Sequence, residues 1–187
     1  MNKFERDEPM DVDNLPNLKR TPQKLYLDAK AAYAFKQKKK EKVLFIDVRT
    51  CPELEFVGLP DLVDINIPYM INRLGQWDAN KKRFPKEVNR NFLPALEKRL
   101  DEYHMNKDSL LLLICRSGNR SAWAASLLYQ VGYEQVYTVI DGFEGDTAKS
   151  GKHKGKRLVN GWKNVGLPWT YQLEERQLYE ENLSYYQ

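Results

Sequence analysis

The residues best equipped for chemistry lie at 115–121, Cys-Arg-Ser-Gly-Asn-Arg-Ser, between the apolar run Leu-Leu-Leu-Leu-Ile and the small-residue run Ala-Trp-Ala-Ala-Ser. A thiol becomes a good nucleophile only as its anion. Three features favour that anion at Cys115. The segment runs into a helix, whose first N–H groups lack partners and carry partial positive charge. Arg116 and Arg120 add two fixed cations. Gly118 lets the backbone turn tightly, so that successive N–H groups can face a common centre. Taken alone, a free cysteine at a strand end is a small buried apolar residue; the arginines, the glycine and the helix start outweigh that reading here. For Cys51, in Val-Arg-Thr-Cys-Pro, an ordinary loop cysteine is the stronger reading and a resolving thiol near the site the weaker.

The elements that must hold this loop can be read from periodicity. Residues 110–115 form the most buried strand, and a helix from about Arg120 to Val131 follows, closed by Gly132. Val43 to Asp47 is an apolar run suited to a strand covered on both faces. Residues 62–69 offer a second strand stopped by Pro68, and Gln135 to Ile140 another. Helices are expected over 21–35, capped by Thr21 with Pro22 in the first turn, and over 92–103. A short helix is expected near 161–166. The stretch 69–91 reads as an irregular polar excursion, and 141–162 as a Gly- and Lys-rich loop. Strands separated by helices predict an α/β fold with a mainly parallel central sheet and helices on both faces. Ligands of such sheets sit beyond the carboxyl ends of the strands, which is where Cys115 falls.

Composition narrows the function. The 187 residues are 42% hydrophobic and 30% charged, with net charge +4. That balance fits one globular domain and is too small to mark a nucleic-acid binder. The basic clusters at 36–42 and 152–157 lack interleaved aromatics, so no nucleic-acid partner is expected. The longest apolar run is far short of a membrane span, so no membrane partner is expected either. Two cysteines and two histidines suggest neither a disulfide framework nor a zinc site, and no metal or cofactor is expected. The charged start has no apolar signal stretch, which points to the cytoplasm, or to the periplasm if a leader has been removed.

Several stretches together resemble one family. The loop Cys-Arg-Ser-Gly-Asn-Arg-Ser after a buried strand is similar to the active-site loop of rhodanese-type sulfurtransferases. Leu-Phe-Ile-Asp-Val-Arg-Thr with Glu53 downstream resembles their Asp-Val-Arg…Glu signature. The segments 56–69, 132–145 and 161–169 resemble further stretches in the same order. The resemblance implies a rhodanese-like domain over 21–171, after a flexible segment over 1–20 and before a charged tail over 172–187. It implies a thiosulfate sulfurtransferase, with Cys115 as nucleophile and carrier of a persulfide. Arg116, Ser117, Gly118, Asn119 and Arg120 then form the cradle, with Arg116 and Arg120 attracting a small anionic donor. Ser121 would cap the helix or donate a hydrogen bond, and Asp47 and Arg49 would support the surrounding loops. The acceptor would be cyanide or a thiol. Two alternatives stand beside this reading. One is a non-catalytic or redox-sensing rhodanese-like module that binds a partner, favoured by the insertions at 69–91 and 146–160. The other is a phosphatase or arsenate reductase. Those relatives place five residues between cysteine and arginine, where this chain has four.

Overall fold

The computed structural model describes residues 14–179. In chain order its elements are β1 (Tyr26–Leu27), α1 (Ala29–Lys39), β2 (Val43–Asp47), α2 (Cys51–Val57), β3 (Leu59–Pro60), β4 (Ile65–Asn66), β5 (Met70–Asn72), β6 (Lys86–Val88), α3 (Phe92–Glu102), β7 (Leu110–Ile114), α4 (Asn119–Gln130), β8 (Val136–Val139) and β9 (Trp169–Thr170). Five strands make a parallel sheet in the order β1-β8-β7-β2-β4. The fold is the α/β arrangement expected, with helices on both faces.

Alternation along the two central strands divides the core. Leu44 and Ile46 of β2 join Leu111 and Leu113 of β7 on one face, under Leu96 and Leu100 of α3 and Ala124, Ala125 and Leu128 of α4. Val43, Phe45, Leu112 and Ile114 point to the other face, against Ala29 and Ala32 of α1, Leu54 of α2 and Trp162. Both strands are covered on two sides, which is why they read as continuous apolar runs. The crossover after β2 departs over one face and that after β7 over the other. Their carboxyl ends, paired at Asp47 and Ile114, therefore open a crevice between diverging loops.

Four expectations need correction. The helix expected from Thr21 starts at Ala29, where Asp28 Oδ1 accepts the Ala31 N–H at 2.8 Å. Lys24 has φ +54°, which ends any helix there, and Tyr26–Leu27 instead extends the sheet beside β8. Sheet pairing overrides helical spacing in this stretch. The expected helix at 161–166 is a run of turns whose end glycines both have positive φ, leading to β9, which pairs antiparallel with β3. The excursion 69–91 contains an antiparallel hairpin, β5 with β6. Cys51 is the first residue of α2 rather than a loop residue. Of the segment expected to be flexible, 1–13 lies outside the described residues. Its remainder packs on the domain: Leu15 is buried and Lys19 pairs with Asp146 at 2.7 Å. Of the expected tail, 180–187 lies outside the described residues, while Gln177 and Tyr179 are buried.

Candidate active site

The site is built where β7 stops. Cys115 follows the strand directly, and its Sγ accepts the Gly118 N–H at 3.2 Å and lies 3.6 Å from Ser121 Oγ. Ser121 Oγ donates to the Gly118 carbonyl at 3.1 Å. Gly118 is the N-cap of α4, with φ +95°, and a side chain there would lie 2.1 Å from the Ile140 carbonyl oxygen. Only glycine fits, for conformation and for space.

A second loop braces the first from the end of β8. Phe143 N–H donates to the Cys115 carbonyl, and Glu144 and Gly145 N–H both donate to the Arg116 carbonyl, at 2.8, 2.9 and 3.2 Å. Gly142 lets the loops touch: a Cβ there would sit 2.6 Å from the Cys115 oxygen and from Ser117 N.

Third comes the loop after β2. Asp47 and Arg49 are fully buried and paired at 2.6 Å. Arg49 also donates to the Gly58 carbonyl, and its guanidinium carbon lies over the Phe143 ring, 4.3 Å from the centroid. Asn66 donates to the carbonyls of both Asp47 and Arg49. The pair thus ties β2, β4, α2 and the Phe143 loop to one another.

The two loop arginines differ. Arg116 is exposed, whereas Arg120 is buried and forms a two-pronged pair with Glu53 at 2.6 and 2.7 Å. Glu53 also accepts from Thr50 N–H and Oγ1 as the capping box of α2. Lys86 of the inserted hairpin approaches Glu53 at 3.5 Å. Burial opposes the Glu53 charge, but the hydrogen bonds and attraction of Arg120, with Lys86 and Arg49 nearby, hold its carboxyl well below the usual carboxylate range. Burial likewise opposes the Arg120 charge, and the Glu53 pair outweighs it.

Several site expectations change in detail. Cys115, Arg116, Ser117, Gly118, Asn119, Arg120 and Ser121 form one loop and helix start. The sulfur, however, receives one loop N–H, from Gly118, rather than a ring of them. Arg120 has its charge committed to Glu53, so it is a poor candidate to draw in a donor. Cys115 is only 1% exposed. Glu53 had a sequence signal, as part of the Asp-Val-Arg…Glu pattern, without a partner. Lys86 had none, because it lies in the excursion read as irregular. Cys51 is half-buried in a cleft of about 530 Å³ beside Thr50, Pro52 and the 71–76 turn, and burial first, then Glu55, pushes its thiol up.

The rhodanese-like domain family matches residues 29–149. The chain belongs to that family. It is 30% identical over 131 residues to an uncharacterized protein of Rickettsia rickettsii, covering 70% of this chain and 85% of the relative. A crystal structure from M. tuberculosis is similar over 79% of this chain and 97% of its own, with TM-score 0.57 and 29% identity. A thiosulfate sulfurtransferase of Tolumonas auensis is 42% identical over 41 residues, which are 22% of this chain and 39% of that protein. Among the described residues no helix is long and apolar enough to cross a membrane.

Proposed function

We propose that this chain is a sulfurtransferase that carries sulfane sulfur as a persulfide on Cys115. The observation that carries the reading is the Gly118 N–H aimed at Sγ at 3.2 Å, in a loop fixed by the Gly142 contact. An amide so placed favours a sulfur anion and is already oriented before reaction. The local likeness to a thiosulfate sulfurtransferase supports the same chemistry. With thiosulfate as donor, the Cys115 thiolate attacks the outer sulfur. A new S–S bond forms, the S–S bond of thiosulfate breaks, and sulfite leaves with the electron pair. Cyanide or a thiolate then attacks the outer sulfur of the persulfide and releases the Cys115 thiolate, which completes the cycle without net redox change. The four residues between Cys115 and Arg120 make a narrow loop, suited to one added sulfur rather than to a tetrahedral phosphate.

One observation favours a second reading. The near-complete burial of Cys115, together with a hairpin that exposes Trp77 and Phe84 in edge contact, suits a module that binds a partner without turnover. Thiocyanate formation from thiosulfate and cyanide separates the two. The sulfurtransferase reading expects activity in the wild type and background in Cys115→Ser; equal background in both, with folding intact, sinks it.

A further inference from the structure

The inserted hairpin gathers charge and bare apolar surface in one place. Between 69 and 91 stand Arg73, Lys81, Lys82, Arg83, Lys86 and Arg90 against Asp78 and Glu87. Their excess equals the +4 of the whole chain, so the remainder is electrically balanced. The same stretch leaves Leu74, Trp77 and Phe84 62%, 59% and 43% exposed, and none of the three joins the core on either face of the sheet. Trp77 and Phe84 flank the Asp78–Arg83 bridge that closes the turn, and their rings meet edge to face with centroids 5.5 Å apart. The turn also satisfies its own backbone. Asp78 and Arg83 exchange N–H···O bonds at 3.0 and 3.3 Å. The Asp78 carboxylate accepts the N–H groups of Asn80 and Lys81 at 3.1 and 3.0 Å and faces Lys81 Nζ at 3.6 Å. The acid of the tip is thereby turned inward, while Lys82 and Arg83 are exposed.

We propose that the hairpin tip, residues 74–84, is a peripheral docking site for an anionic lipid surface. Leu74, Trp77 and Phe84 enter the headgroup boundary, and Lys81, Lys82 and Arg83 meet the lipid phosphates. Aromatic rings with cations beside them suit that boundary, where one end of a side chain is apolar and the other wet. Lysine and arginine are drawn to an anionic leaflet. The four N–H groups paired within the turn lose no partner on leaving water. The expectation of no membrane partner rested on the lack of a spanning run, and peripheral docking needs none. A second copy of the chain is disfavoured as the occupant, since two such tips repel. Single-stranded nucleic acid is disfavoured because the rings pack against each other rather than standing apart to take bases. The site is independent of the chemistry at Cys115.

The test sediments the full chain with vesicles of phosphatidylcholine alone and of phosphatidylcholine mixed with phosphatidylglycerol. The mixed vesicles should bind it about tenfold more tightly, with binding weakened by physiological salt and not abolished. Lipids brominated in the acyl chain should quench its tryptophan fluorescence. Trp77→Phe should bind within about twofold of wild type and lose most of that quenching, because the ring stays apolar. Trp77→Ser with Phe84→Ser should weaken binding about tenfold, and Lys82→Gln with Arg83→Gln should reduce the preference for the anionic vesicles several-fold. Unchanged thermal unfolding of each variant shows that the domain is intact. Absence of binding, or equal binding to both vesicles, overturns the proposal. So does binding that the serine variant keeps in full without quenching, which would show attraction by charge alone, of the kind an acidic protein or a nucleic acid would also meet.

Discussion

At Cys115 the sulfur meets the Gly118 backbone N–H, and the side chain at hydrogen-bonding distance is the Ser121 hydroxyl rather than a basic group. Placement of the Gly118 amide therefore governs reactivity. Gly118→Ala drives a methyl group far inside van der Waals contact with the Ile140 carbonyl at a positive φ. It should cost about 1–3 kcal/mol in backbone strain alone, read in urea, and abolish turnover. Normal turnover in a folded Gly118→Ala protein would show that the amide does not matter. Arg120 makes a different case. Its pair with Glu53 is buried, and breaking a buried pair from one side typically costs about 3–5 kcal/mol. Arg120→Ala and Glu53→Ala should each destabilise strongly and by less than additive amounts together, measured as a double-mutant cycle. Additive losses would mean the pair contributes little.

Three loops that follow sheet strands meet at the site, and the least obvious is the one after β8. Asp141 starts that loop with its carboxyl buried. Its Oδ2 accepts the Gly161 N–H at 3.0 Å, and Oδ1 has no hydrogen-bond partner among the described residues. Burial pushes the carboxyl up to about 7, with Asp28 of the α1 cap adding to the rise and the N–H groups of Gly161, Asp141 and Ala29 opposing it. The folded state therefore holds a proton that the unfolded chain, with an ordinary value near ~4, gives up. Stability from this group is complete below about pH 4 and is lost as pH rises towards 7. Asp141→Asn should gain stability relative to wild type across that window, with a flat difference above it. A difference independent of pH from 4 to 8 would refute the assignment. Lengths of elements were harder to read than their positions. The helices at 92–102 and 119–130 were legible because burial on one face imposes period, and the strands at 43–47 and 110–114 because burial on both faces makes a continuous apolar run. Tyr26–Leu27 was not, since a two-residue edge strand takes its identity from β8 rather than from its own sequence.

Taken whole, the molecule places its chemistry where two crossovers part company at the carboxyl ends of β2 and β7. The loop at 115–121 was legible in the sequence because a thiol, two arginines and a glycine at a helix start have few other uses. Its partners were not. Glu53 lies 67 residues from Arg120, and Lys86 sits in a stretch without period; only folding brings Glu53 to the loop and Lys86 to Glu53. The hairpin that supplies Lys86 also lines the cleft around Cys51, so the two thiols face different surroundings: one in the braced loop, the other in an open cleft. The reading of Cys115 as the sulfur carrier stands or falls on one measurement. After brief exposure to thiosulfate, peptide mass analysis should find one added sulfur on Cys115 and none on Cys51, and cyanide should remove it as thiocyanate. An unmodified Cys115, or added sulfur on Cys51 alone, would contradict it.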